Sequence, residues 1–343
     1  MFERNIYDYY GIYCDSRTRF GHYDGFQTET EQYLLFPKEH LASTEEEMIY
    51  YSEYLRSIGD STVLQLVPTK LKKNSGFIDG QDVYLFKLPS QEERAGLEIN
   101  NDYERGEHLA IVHHYGKQTS QNRKQYDYFG QWPNLWQQRL EQLEEWYFQV
   151  NYEGPQTIVD EAFLYTYPYY MGITENAIQY AVDAGLDDRT SEMEQGTLCH
   201  RRFTEETWLT LSERGGIVKC PTEFVFDHPC RDLAEWIRSK RFSIFDQRNG
   251  SLVEPFLEGY TQYNPLTSYS WRLMYARLLF PVHYFETIED YYRSQIREEK
   301  FQIGQRFTQL LDHERDNETF LQVFQENIKM PRTTGRTPRI DWI

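Results

Sequence analysis

The chain of 343 residues carries 54 Asp and Glu against 36 Lys and Arg, a net charge of −18 that repels a phosphate backbone over a screening length of about 8 Å and argues against nucleic acid as a general partner. Aromatic residues make up 16% of it, enough ring area for a sizeable interior, and the length exceeds what a single core usually fills, so two lobes are expected. No apolar run approaches the roughly 18 residues of a membrane span; the opening MFERNIYDYYGIY lacks a secretory pattern, and the four cysteines Cys14, Cys199, Cys220 and Cys230 show no CxxC pair, so a cytosolic protein with reduced thiols and no disulfide is expected.

Residues 1–89 read as a small α+β lobe. TEQYLLFP is a strand by its aromatic and apolar content, and MIYYSEYLRSIG a helix with Ser43 or Thr44 as N-cap, Glu46 or Glu47 three residues on, and Gly59 as its stop. STVLQLVPT and DVYLFKLP flank the turn-rich KNSGFIDGQ, which predicts a hairpin. One helix beside several strands is the expected content. Residues 90–107 are polar and charged and read as an exposed connector.

Helices dominate the segment 108–330. In PNLWQQRLEQLEEWYFQV, Trp136, Leu140, Leu143, Tyr147 and Val150 recur on one helical face behind Pro133. ITENAIQYAVDAGL predicts a helix opened by Thr174 and closed by Gly185. SYSWRLMYARLLFPVHYFETIEDYYRSQI predicts one long helix, kinked near Phe280 because Pro281 lacks a backbone donor. Residues 331–343, rich in Pro, Gly, Thr and Arg without periodicity, read as a loosely held tail.

The segment LCHRRFTEETWLTLSERGGIVKCPTEFVFDHPCRDLAEW carries the chemistry. SERGG between TWLTL and IVKC marks a tight hairpin, since glycines supply the positive φ of a short reversal. Before it stands His200; after it, Pro229 opens a helix that Asp232 caps or anchors. Loop, hairpin and anchored helix follow one another in the order used by kinase-like phosphotransferases. The segment is similar to the aminoglycoside-phosphotransferase and choline-kinase superfamily, in which a His-x-Asp loop, an Asn five residues on, a hairpin, a metal-binding Asp and an Asp-Leu-Ala helix succeed one another. That resemblance implies a bilobed protein-kinase-like α+β fold over about residues 5–330, with a strand-rich N-lobe and a helical C-lobe. TYPYYMGITENAIQY, IVKCPTEFVFDHPCRDLAEWIR and SWRLMYARLLFPVHYFE, in that order, further resemble the YutH family of spore-coat-associated proteins of bacilli, related to the CotS group. This implies a place in the spore coat, assembled from the mother-cell cytoplasm, with other coat proteins as partners.

Residue by residue, the chemistry of the superfamily is missing. His200 matches the loop histidine, but Arg202 stands at the catalytic aspartate, and a guanidinium takes no proton from a hydroxyl at neutral pH. Thr207 stands at the magnesium-binding asparagine, and Cys220 at or within a residue or two of the metal-binding aspartate; neither replaces a hard oxygen ligand. YLLFP lies where a phosphate-pairing lysine is expected, Lys38 falls after the proline, and GHYDGFQTET has two scattered glycines instead of a phosphate loop. Asp232, the structural brace, is kept. The expectation is a catalytically degenerate protein with no cofactor and no metal, His200 being structural because its loop offers no acidic neighbour to orient it. Arg202 is expected to pair with Glu205, Glu206 or Glu223. The rival reading is an active small-molecule phosphotransferase in which Glu205, Glu206 or Glu223 replaces the lost carboxylate; a third is a nucleotide-binding adaptor without turnover. Cys199, His228 and Cys230 join His200 and Cys220 as soft-ligand types in no zinc spacing, and His113 and His114, adjacent on a helix, should point apart. The tyrosine clusters, Tyr7, Tyr9 and Tyr10, Tyr165, Tyr167, Tyr169 and Tyr170, and Tyr291 and Tyr292, read chiefly as packing, with coat contacts or cross-linking as the sharper alternative.

Overall fold

The structure, a computed structural model, describes residues 2–21, 23–90, 98–122, 127–189, 191, 194–210, 216–241 and 253–327. The tail 331–343, the SERGG turn apart from its last glycine, and residues 91–97 of the connector lie outside the described residues. No helix among those described is long and apolar enough to cross a membrane. The architecture is α+β, with a strand-rich N-terminal sheet and a mainly helical C-terminal region, as the sequence implies. Contacts divide the chain into two compact units, one of Met1–Tyr128, Gln195–Asp232 and Pro255–Asn264, the other of Phe129–Glu194, Leu233–Glu254 and Pro265–Ile343.

The first unit is built on a sheet of β1 (Ser16–Phe20), β2 (Tyr23–Gln27), β3 (Gln32–Pro37), β4 (Gln65–Leu66), β5 (Ser75–Ile78) and β6 (Gln81–Lys87), in the order β1-β2-β3-β6-β4 with β5 also on β6. The expected hairpin exists, but its turn segment holds a strand of its own. Ile78 pairs with Gln81, and Asp79 and Gly80 between them have φ +47° and +95°, the two positive values that let a two-residue turn follow the twist of its strands. A helix not foreseen from the sequence, α1 (Phe2–Tyr10), covers one sheet face by burying Phe2, Ile6 and Tyr10 against Phe26, Tyr33, Leu35, Val83 and Leu85. Helix α2 (Glu45–Ser57) starts at Thr44, whose side chain accepts the Glu47 N–H while Glu47 accepts the Thr44 N–H, the predicted capping box.

Helix α3 (Asp102–Gly116) opens inside the segment read as connector, capped by Asn101. It crosses α7 (Glu254–Tyr263) at Gly106 and Gly259; a Cβ on Gly106 would meet the Phe256 carbonyl at 2.1 Å, and one on Gly259 the Tyr103 carbonyl at 2.1 Å. Only glycine allows backbones this close. Two short ladders complete the unit: β7 (Thr197–His200) with β10 (Phe224–Asp227), and β8 (Trp208–Thr210) with β9 (Ile217–Lys219), all antiparallel. The second ladder is the predicted hairpin, Thr210 opposite Ile217.

In the second unit α4 (Trp132–Glu153) buries Trp136, Leu140 and Leu143, the predicted stripe. Two helix predictions are corrected. ITENAIQYAVDAGL is the second half of α5 (Ile158–Asp187), whose N-cap is Thr157 and which runs past Gly185. Thr174 is interior, donating to the Tyr170 carbonyl at 2.7 Å, the back-bond available to a mid-helix threonine. Pro168 also lies inside α5, so the local stop signals yield to packing. Conversely, the long kinked helix is two helices, α8 (Ser268–Leu279) and α9 (Val282–Arg293), because Phe280 is extended and Pro281 starts the new turn. Trp136 stacks on Phe280 at 4.8 Å and 7°, which fixes the break. Helices α10 (Arg297–Asp312) and α11 (Glu314–Asn327) follow; α6 (Cys230–Ser239) begins in the first unit.

Candidate functional site

His200 ends β7, buried, and Asp232 lies in the first turn of α6, wholly buried. The carboxylate is the centre of the site. It accepts the His200 backbone N–H at 2.9 Å, His200 Nδ1–H at 2.7 Å and His113 Nε2–H at 3.1 Å. Burial alone would raise the Asp232 carboxyl, but His200 and His113, by field and hydrogen bond, hold it well below the usual range. His113 comes from α3; its Nδ1 accepts the Tyr260 hydroxyl at 2.9 Å, and burial pushes its pKa down. His114 is exposed, so the two neighbours do point apart.

The expectation that His200 lacks an orienting acid is therefore corrected. That acid is supplied by tertiary structure, 32 residues downstream. The indole N–H of Trp208 donates to His200 Nε2 at 3.0 Å. An indole can only donate, so Nε2 carries the lone pair and Nδ1 the proton. With its lone pair engaged by Trp208 inside a buried site, His200 has no free base to offer a substrate.

The loop after β7 holds the other predicted residues. Arg202 is partly buried, and its carbonyl accepts the Thr207 hydroxyl at 2.7 Å, while Thr207 Oγ1 accepts the Thr204 N–H at 2.8 Å. Thr207 thus closes the loop on itself. Glu205 and Glu206 are exposed, and Glu223 is partly buried, its carbonyl accepting the Arg201 N–H at 2.7 Å. Arg231 ties the loop to α6, donating to the carbonyl of His200 at 3.0 Å and to Asp227 at 2.7 Å.

Cys220 follows β9 and is 2% exposed; burial, with Glu223 nearby, pushes its thiol well up. It belongs to one apolar cluster with Leu209 and Val218 of the hairpin and Leu34, Phe36, Met48, Leu64, Tyr84, Phe86 and Leu88 of the sheet side. Phe36 stands on β3, the strand that holds YLLFP, the segment in which a phosphate-pairing lysine is expected. Its ring lies 4.2 Å from Tyr23 and 5.2 Å from Phe86. Lys38, just past the strand, approaches Glu45 at 3.3 Å.

Sequence reading missed a second buried charge. Lys219, wholly buried beside Cys220, donates to Asp60 at 2.7 Å and Thr62 at 2.6 Å. The backbone repeats the tie, Lys219 N–H to the Thr62 carbonyl at 2.9 Å and Leu64 N–H to the Lys219 carbonyl at 3.1 Å. Burial lowers Lys219; on Asp60 burial acts upward, but Lys219 prevails and holds it at about 2. A lysine in the strand IVK was the available signal, since an inward charge in an apolar strand demands a partner. His228 Nδ1 accepts the Cys230 N–H at 3.1 Å at the start of α6. Among the described residues one group of metal-ligand types converges, His113, Cys199 and Asp232, with ligand atoms within 4.8 Å of one another. His113 would have to give up the proton it donates to Asp232 before it could ligate.

The family described as "Spore coat putative kinase YutH" matches residues 3–324. The endospore coat-associated protein YutH of Bacillus subtilis (strain 168) is 34% identical over 100% of this chain and 98% of its own. Among solved structures, an aminoglycoside phosphotransferase from Alicyclobacillus acidocaldarius superposes with TM-score 0.62 at 12% identity, covering 92% of this chain and 93% of that one. A spectinomycin phosphotransferase in complex with ADP and spectinomycin gives 0.61 at 14%, covering 93% and 96%. At these identities the likeness concerns the fold, which is that of the aminoglycoside-phosphotransferase-like kinases.

Proposed function

The chain belongs to the YutH family of spore coat proteins, and from that premise we propose that it is a component of the endospore coat whose kinase-like fold serves structure and interaction, not phosphoryl transfer. The mother-cell cytoplasm is the compartment it assembles from, and other coat proteins are its partners. One observation carries the absence of catalysis. Where the related fold joins a lysine strand to a metal-binding aspartate, this protein packs Phe36 and a neutral, buried Cys220 into one apolar cluster. Phosphoryl transfer rests on charge neutralisation and positioning, and an apolar filling supplies neither. Arg202 and Thr207 at the remaining chemical positions support the same reading.

Thermal-shift titration with ATP and magnesium tests it. The melting temperature is expected to stay unchanged. A metal-dependent rise of several degrees with release of γ-phosphate would establish an enzyme; the same rise without turnover would establish a nucleotide-binding adaptor. Location is tested separately by a fluorescent fusion followed through sporulation, which should decorate the forespore. A signal that stays diffuse would remove the coat assignment.

A further inference from the structure

Helices α4 and α5 form a helical hairpin around residues 154–157, with Tyr147 stacked on Tyr167 at 4.5 Å. Toward its turn the hairpin leaves large apolar side chains in solvent: Phe148 is 59% exposed, Tyr152 91%, Ile158 80% and Tyr165 89%. Single exposed apolar side chains are ordinary, but three rings and an isoleucine within one hairpin end amount to a surface that gains by being covered. Spacing puts them on outward faces, since Phe148 and Tyr152 are one turn apart on α4, and Ile158 and Tyr165 two turns apart on α5. Along the hairpin's own sequence the charge has one sign; basic groups that reach it come from other helices, among them Arg293 at 6.0 Å from the Trp146 ring and Lys300 over Tyr291, which bonds Thr157. From residue 140 to 188 the sequence holds ten carboxylates and no Lys, Arg or His; Glu145 and Glu161 are among the exposed ones.

Such a face fits a ligand that is cationic and carries large apolar groups. The same sequence contains one. Residues 329–343, KMPRTTGRTPRIDWI, carry Lys329, Arg332, Arg336 and Arg339 against the single acidic side chain Asp341, with Ile340, Trp342 and Ile343 beside them. We infer that the α4–α5 face is a docking surface for residues 329–343 of a second copy of this chain. The contact is electrostatically complementary, which orients and speeds encounter, and its aromatic anchors supply area at low conformational cost. Because the two surfaces differ, the contact is heterologous and builds rings or open chains of copies instead of a closed pair. It makes no use of the His200–Asp232 site and stands whether or not that site is inert.

Charge reversal on the full chain tests it, read by sedimentation velocity across a concentration series. Wild type is expected to self-associate at low salt and to disperse near 0.5 M NaCl, where the screening length falls to about 4 Å. Two variants, Glu145→Lys/Glu161→Lys and Arg332→Glu/Arg336→Glu/Arg339→Glu, should each be monomeric at low salt and remain folded, all substituted positions lying outside the core or the described residues; reversing Glu161, in the first turn of α5, costs the face variant no more than a few degrees of melting temperature. Mixed in equal amounts, they should associate again, because each restores the charge pairing the other lacks. A wild type monomeric at every salt concentration overturns the proposal, as does a mixture that stays monomeric. Association lost on reversing the face but kept on reversing the C-terminal arginines would mean another occupant, and overturns it too.

Discussion

Asp232 decides more of the site than any other side chain, because three N–H groups converge on one buried carboxylate. Asp232→Asn keeps the shape but turns an amide N–H toward donors, and should cost about 3 kcal/mol, the scale of losing charge-assisted hydrogen bonds in a buried site; urea unfolding within a few tenths of wild type would refute the assigned role. The Lys219–Asp60 pair makes a sharper case. Lys219→Met strands the Asp60 charge and should cost about 3–5 kcal/mol, whereas Lys219→Met/Asp60→Leu, free of any buried ion, should regain most of it. Additive losses in that double-mutant cycle would show that the two groups are not coupled. At this scale the sequence was legible where one residue type demands a definite environment, as for the buried Asp232 that braces the loop. It was silent on partners, since Asp60 and Lys219 are 159 residues apart.

Caps and breaks set the elements. The capping box at Thr44 and Glu47 was readable because every participant lies within four residues. The box at Thr157 and Asp160 was overlooked in favour of Thr174, although both follow the same local rule. Thr157→Ala should lower stability by about 1 kcal/mol, while Thr174→Val, which removes only the back-bond to Tyr170, should cost much less. Chemical denaturation of the two variants separates them, and equal losses would contradict Thr157 as the cap. Pro168 and Pro281 make the parallel point. The same residue type lies within one helix and starts another, and the difference is that Phe280, extended and stacked on Trp136, has already ended the first.

Across the whole molecule, buried histidines couple stability to pH. Burial, helped by the field of Lys219, pushes His108 down to about 3, and burial likewise lowers His113. Between about pH 3 and the ordinary histidine value near 6.5, the unfolded chain therefore holds more protons than the folded one, so stability rises with pH in that window. The depressed Asp232 adds a further loss only below about pH 4. The melting temperature should begin to fall as pH drops below about 6.5, and His108→Gln should flatten that limb; a wild-type curve level down to pH 5 would refute the assignment. The sequence by itself determined the fold class and the family, because strand and helix periodicity and the family-like segments are local and survive in one dimension. Tertiary structure alone decided that α1 covers the sheet, that Asp232 orients His200, that Phe36 and Cys220 share one apolar cluster, and that Lys219 finds Asp60. Burial and hydrogen-bond partnership join residues far apart in the chain, and only the folded path brings them within a few ångströms.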